Sequence, residues 1–286
     1  MTAFGKFIID RVASDPKFNP TLAPLPLYRL YRPFYLFYPL TLKAPMIQAQ
    51  HTSCRSLSPW LAIVPAVVLL VLVLVDTSAV DFAVAGWFYT AGDGFIGKHV
   101  WVLEDFMHDF LKKAVMAFAL LALLAWMVSF SRRQWQQWRL PLGYLVLAIG
   151  LSAGIVTPLK DLTGVQCPWD IKEFGGPYTY VHILDRKPEA EPRGRCWPAG
   201  HAATGFSLFA LFFFLRDRRP QIARRVLVGV LTFGSLLALG RMIQGAHFLS
   251  HTVATGLIAW LICLGCYRAL LYRRGSGPVK NAAQEA

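Results

Sequence analysis

Five residues suited to holding and cleaving a phosphate group stand at the ends of long apolar stretches. Lys160 closes one stretch, His201 opens the next and Arg241 closes another. His247 and His251 lead into the last. Lys and Arg supply fixed positive charge for phosphoryl oxygens and for the charge that spreads over them in the transition state. One histidine can attack phosphorus, and a second can protonate the leaving alkoxide. Gly200, just before His201, suits a backbone amide that must approach an anion closely, at a helix start where the dipole favours negative charge. Taken singly, a Lys or Arg here reads better as an interfacial cation that snorkels to water. Taken together, and with three of the chain's seven histidines among them, they read as a site. A histidine metal site competes for the same residues. The cluster has no adjacent carboxylate and its cations would repel a metal, so neither metal nor cofactor is expected.

The elements that must position these residues are membrane helices. The 286 residues are 55% hydrophobic and only 16% charged, against roughly 25% charged in an average soluble domain. Mean hydropathy is +0.44. The net charge of +13 sits in short basic clusters beside apolar runs, which is how membrane topology is encoded. That placement argues against a nucleic-acid partner. Six stretches approach the roughly 20 apolar residues that span a bilayer: Trp60–Val75, Ala114–Phe130, Pro141–Leu159, Ala202–Leu215, Val226–Leu239 and Thr252–Tyr267. Lipid offers no partner to free backbone groups, so these runs read as helices. The expected fold is all-α, a polytopic bundle of about six transmembrane helices spanning residues 60–272. A cytoplasmic arm (1–59) precedes it and a cytoplasmic tail (273–286) follows.

Positive charge orients the bundle. Arg132 and Arg133 follow the second stretch, Arg216 to Arg225 the fourth, and Arg268 to Arg274 the sixth. With six spans these clusters share one side with the basic N-terminal arm, and the positive-inside rule makes that side cytoplasmic. Lys160, His201, Arg241, His247 and His251 then lie together on the opposite side, the periplasmic face of a bacterial inner membrane. The apolar segment Val80–Tyr89 reads as an interfacial helix, because a seventh span would invert everything after it.

Three blocks resemble the signatures of the type 2 phosphatidic acid phosphatase family, whose catalytic core is shared with vanadium haloperoxidases. Lys160, six residues and Cys167-Pro168 stand where the family has Lys, six residues and Arg-Pro. Pro198-Ala199-Gly200-His201 stands for Pro-Ser-Gly-His. Gly240-Arg241, five residues, His247, three residues and His251 stand for Ser-Arg, five residues, His, three residues and Asp. The resemblance runs from about Asp76 to Tyr267. It implies that His247 is the nucleophile, forming a phosphohistidine, and that His201 is the general acid. Lys160, Arg241 and the Gly200 amide would bind phosphate oxygens.

Four family positions differ. Ala199 and Gly240 each lack a hydroxyl. Cys167 replaces a guanidinium fork, and Arg195 is the preferred substitute, with Lys172 and Arg193 also near in sequence. His251 replaces the carboxylate that would orient His247; a neutral imidazole can accept a hydrogen bond but supplies no negative charge. Asp109, beside His108, is a possible source of the missing carboxylate. Cys167 and Cys196 share one outer connection. In an oxidising periplasm they are expected to form a disulfide that ties the first block to the second.

The function these features imply is hydrolysis of a lipid phosphate or diphosphate at the outer face of the membrane. Partners are then the lipid substrate and the surrounding membrane lipids. Isoprenoid diphosphates, phosphatidic acid, phosphatidylglycerol phosphate and lipid A phosphates lie within the family's range. A phosphotransferase, or a catalytically impaired phospholipid binder or transporter on the same scaffold, remains open.

Overall fold

The computed structural model describes residues 56–98, 100–101 and 110–272, all within one unit, His51–Ala286. Most of the N-terminal arm, the tail from 273, and His108 and Asp109 lie outside the described residues. The described chain is mostly helical, with a two-stranded hairpin, Tyr89–Thr90 paired with Gly94–Phe95, and a largely irregular connection over residues 164–199. We number the helices α1 (Trp60–Leu74), α2 (Ser78–Gly86), α3 (Leu111–Ser131), α4 (Arg139–Gly154), α5 (Val156–Thr163), α6 (Gly200–Phe206), α7 (Phe209–Arg216), α8 (Pro220–Ile243) and α9 (Leu249–Leu270).

Helices form here because Leu, Val, Ala and Phe runs can satisfy their backbone only internally in lipid. Four described helices are long and apolar enough to cross a membrane: α3, the α4–α5 run, α8 and α9. The count becomes five if α1 and α2 are taken as one broken span, since they meet at 88°. Gly200–Arg216, made of α6 and α7, is apolar but shorter. All six expected stretches therefore fall on helices, while length and apolarity support four or five spans rather than six.

The core lies where α4, α6, α7 and α9 meet, around Tyr144, Ala148, Ala202, Phe206, Phe213 and Tyr267. Small residues allow the closest approach. A Cβ on Gly205 of α6 would stand 2.8 Å from the Gly234 Cα of α8, the close helix contact that small residues permit in membranes. The faces turned outward stay apolar, as lipid requires: Val67, Leu70 and Leu74 on α1 and Leu120, Leu124 and Met127 on α3 are all exposed. The α6–α7 break follows from Ser207, whose hydroxyl donates to the Thr204 carbonyl at 2.7 Å and competes with the helix ladder.

Candidate active site

Each site residue is delivered by a helix end whose stop or start is encoded locally. Helix α5 stops at Gly164, which takes a left-handed φ of 61°, as helix C-termini often do. Its last carbonyls, on Asp161 and Leu162, accept from the Arg193 guanidinium at 3.2 and 2.8 Å. Lys160 sits one turn before this stop. Helix α6 starts at Gly200, after Ala199 in extended conformation and a cis Trp197–Pro198 bond. The Ala199 amide donates to the Thr255 hydroxyl at 2.7 Å, so that amide is already engaged. A Cβ on Gly200 would stand 3.4 Å from Lys160 Nζ, which brings the first two blocks side by side.

Helix α8 ends in paired turn hydrogen bonds. Gly245 N–H donates to Met242 O and Ala246 N–H to Arg241 O, both at 2.9 Å. This is the Schellman pattern, and it requires Gly245 at φ 75°. Arg241 lies in the last turn of α8. Its Nη1 donates to Gln244 Oε1 at 2.7 Å, and its guanidinium carbon is 5.5 Å from the centre of the Trp169 ring. The turn then places His247 at the bundle's end, 5% exposed.

Two clamps hold that turn. On one side, Cys167 and Cys196 form the expected disulfide, with Cα atoms 5.1 Å apart. Cys196 Sγ lies 3.2 Å from the Ala246 carbonyl, and Trp169 N–H donates to Gly245 O at 3.0 Å. On the other side, Asp81 of α2 accepts from both the backbone N–H and the hydroxyl of Ser250. Asp81 thereby caps the start of α9 from another element, satisfying an amide that has no partner within the helix. Phe248 packs with Phe82, Phe174 and Tyr180 in the same outer layer.

The electrostatics converge on His247. Burial is the largest influence. The charges of His251, Lys160, Arg241 and His201 follow, and together they hold its imidazole well below the usual histidine value. The ring is therefore neutral and able to act as a nucleophile at ordinary pH. Lys160 in turn feels the charges of Arg195 and Arg241. Five residues far apart in sequence thus share one neighbourhood.

The replacement cations separate cleanly. Arg193 caps α5, and Lys172 Nζ donates to the Thr179 hydroxyl at 3.1 Å. Arg195 pairs with Asp161 at 3.0 Å, half exposed, and is the one of the three whose charge acts on Lys160.

His251 is 4% exposed and its ring hydrogen-bonds the backbone of Cys196. Its centroid is 6.2 Å from that of His247, with the planes 60° apart. The Nδ1 atoms of both rings are buried without a hydrogen-bond partner among the described residues. His251 thus engages the disulfide-bearing strand of chain, and its Nδ1 and that of His247 do not bond one another.

Sequence reading missed the clamp by Asp81 and the contacts of Arg241 with Gln244 and Trp169. A carboxylate inside the apolar run 79–85 was the available signal, since such groups are costly near lipid and usually find a partner.

With the geometry in view, comparison with known proteins adds three findings. The family model described as "PAP2 superfamily" matches residues 141–275, which contain all three blocks. A protein described as lipid A 4'-phosphatase, from Francisella tularensis subsp. novicida (strain U112), is 25% identical over 205 residues, covering 68% of this chain and 87% of its own. A solved structure, the transmembrane PAP2 type phosphatidylglycerolphosphate phosphatase from Bacillus subtilis, aligns over 73% of this chain and 95% of its own, with a TM-score of 0.42 and 13% identity. The stretch that the PAP2 superfamily model matches, residues 141–275, is the helical segment that carries Lys160, His201, Arg241 and His247.

Proposed function

We propose that this integral membrane protein removes a phosphate from a lipid at the outer face of a bacterial inner membrane, through a phosphohistidine on His247. The observation that carries the reading is the convergence of Lys160, Arg241, His201 and His251 on the buried, neutral ring of His247. In the first step a ring nitrogen of His247 bonds to phosphorus as the bond to the leaving alkoxide breaks. His201 gives that oxygen a proton. Lys160, Arg241, Arg195 and the Gly200 amide hold the remaining phosphate oxygens and stabilise their charge. In the second step water replaces His247 on phosphorus, and His201 takes the proton back. The relative described as acting on lipid A puts lipid A phosphates first among the candidate substrates.

A second reading, phosphate binding with little turnover, is favoured by one observation. The carboxylate expected to orient His247 is absent at position 251, and Nδ1 of His247 has no partner. One assay separates the two: phosphate release by purified protein across a panel of lipid phosphates, with His247→Ala as control. Release that vanishes in His247→Ala, while the variant stays folded and membrane-inserted, supports hydrolysis. Unchanged release removes the mechanism, and saturable binding without release favours the second reading.

A further inference from the structure

A cleft of about 660 Å³ opens between α3, α4 and α6, and at one end it reaches the candidate site. Lys160, Gly200 and His201 line that end, and α3 contributes a further cation, Lys112. The rest of the lining on α3 and α4 is apolar and includes Met116, Leu120, Leu123 and Ile149. Lys112 belongs to none of the three blocks and lies outside the segment that matches the family.

Shape and length identify an occupant. From Lys112 to Leu123 the cleft follows α3 for about 16 Å at 1.5 Å per residue, roughly half of a hydrocarbon core. Charge gathers at one end and hydrocarbon at the other, which is the layout of a lipid phosphate rather than of a free sugar or nucleotide phosphate. The groove is open because Gly150 and Ala153 line it. At Gly150 nothing lies within 4 Å of where a Cβ would stand, so larger side chains would fill the groove without disturbing a neighbour at their base. Met116 and Leu120 are more than half exposed, leaving the cleft accessible from the side where bilayer lipid would be.

We propose that this cleft seats the hydrocarbon tail of the substrate, and that Lys112 binds a second anionic group on the headgroup beside the phosphate to be cleaved. The inference rests on the phosphatase reading for its account of the cleaved phosphate. The ligand class is a lipid with at least two anionic groups, either a diphosphate or a headgroup with two separate phosphates. Of the two adjacent cations that open α3, Lys112 and Lys113, Lys112 is the one that shares a cleft with Lys160, Gly200 and His201.

The test uses full-length protein in mixed micelles and three substrates: a long-chain alkyl monophosphate, the same alkyl diphosphate, and tail-less para-nitrophenyl phosphate. Gly150→Leu should lower the ratio of kcat/KM for the long-chain monophosphate over the tail-less substrate at least tenfold. Gly229→Leu, at another glycine with open space around it on the far helix α8, should leave the ratio unchanged. Lys112→Gln should lower the diphosphate-to-monophosphate ratio by a similar factor. Equal losses on all substrates, or none, would overturn the assignment of that residue. A long-chain phosphate carrying a photoreactive diazirine in its tail gives a readout independent of turnover. Labelling of α3 and α4 without phosphate release would keep the tail slot and remove the phosphatase reading. Phosphate release with labels elsewhere, such as the apolar cleft lined by Leu231, Met242 and Leu257, would do the reverse.

Discussion

The two ends of the bundle differ in how close their cations stand to one another. At the basic end every described contact neutralises or stacks the charge. Arg139 donates to the Ser129 and Phe130 carbonyls at the end of α3. Arg216 bonds Asp217 and the Tyr267 hydroxyl, both at 3.0 Å, and Tyr267 also donates to Asp217. Arg218 lies over Trp138, 4.9 Å from the ring centre, within cation–π reach. At the histidine end Arg195 also pairs with Asp161 and Arg241 also lies over Trp169, but here the cations act on one another as well. Lys160 has Arg195 and Arg241 as its electrostatic neighbours, and His247 has four basic groups around it. Like charges held together at the edge of a membrane are unfavourable unless an anion joins them. On the proposed function, the crowding of cations at the second end is what an anionic substrate would relieve.

The comparison is broken most directly by removing one cation from each end. Lys160→Ala should lower kcat/KM for phosphate release about 100- to 1,000-fold, the usual cost of losing one donor to a developing anion. Arg218→Ala should change it by no more than about twofold, as for a surface contact. Steady-state kinetics on both variants, with thermal stability measured in the same detergent, decides the matter. Similar losses of activity in the two would mean that the ends do not differ in role.

Reductant should also separate the ends. The disulfide closes a separation of 29 residues, for which chain-entropy arguments give about 3–4 kcal/mol of stabilisation. Cys167→Ala with Cys196→Ala should therefore lower the thermal midpoint and loosen the His247 turn, while the Arg216–Asp217–Tyr267 cluster is untouched. Hydrogen exchange should rise over residues 164–199 and 244–250 and stay flat near the basic end. An unchanged midpoint after full reduction would show that the noncovalent contacts of Trp169 and Asp81 hold the turn by themselves.

What the sequence disclosed follows from what encodes it. Apolar runs and basic clusters repeat locally, so helix positions and the shared neighbourhood of Lys160, His201, Arg241 and His247 were legible from spacing and order alone. The Cys167–Cys196 pairing was legible because a single connection between apolar stretches holds both. The Asp81–Ser250 clamp was not, because its partners are 169 residues apart and neither belongs to a periodic pattern. Lys112 was hidden for a different reason. It looks like any first-turn cation of a membrane helix, and only the packing of α3 against α4 reveals that it borders the same cleft as Lys160. The single stretch Ala202–Leu215 also concealed the break between α6 and α7, which turns on one hydroxyl.

The smallest expected effect is the one that bears most closely on how dry the histidine end is. An ordinary histidine titrates near 6.5, so between pH 7 and pH 6 its neutral fraction falls about threefold. His247 is held well below that value, first by burial and then by His251, Lys160, Arg241 and His201. Its proton binds only at more acidic pH, so the neutral nucleophile persists as pH drops from 7 to 6. The acid limb of kcat/KM should accordingly lie well below 6.5, and the rate should fall by much less than threefold over that interval. The stability linkage has the same origin. The unfolded chain takes up a proton at this histidine near pH 6.5 while the folded chain refuses it, so the folded state loses stability as pH falls through that region. A pH–rate profile on a substrate whose own ionisation is complete by pH 6 isolates the enzyme group. An acid limb centred near 6.5 would mean that water reaches the ring, and the account of a desolvated histidine end would fail at its central residue.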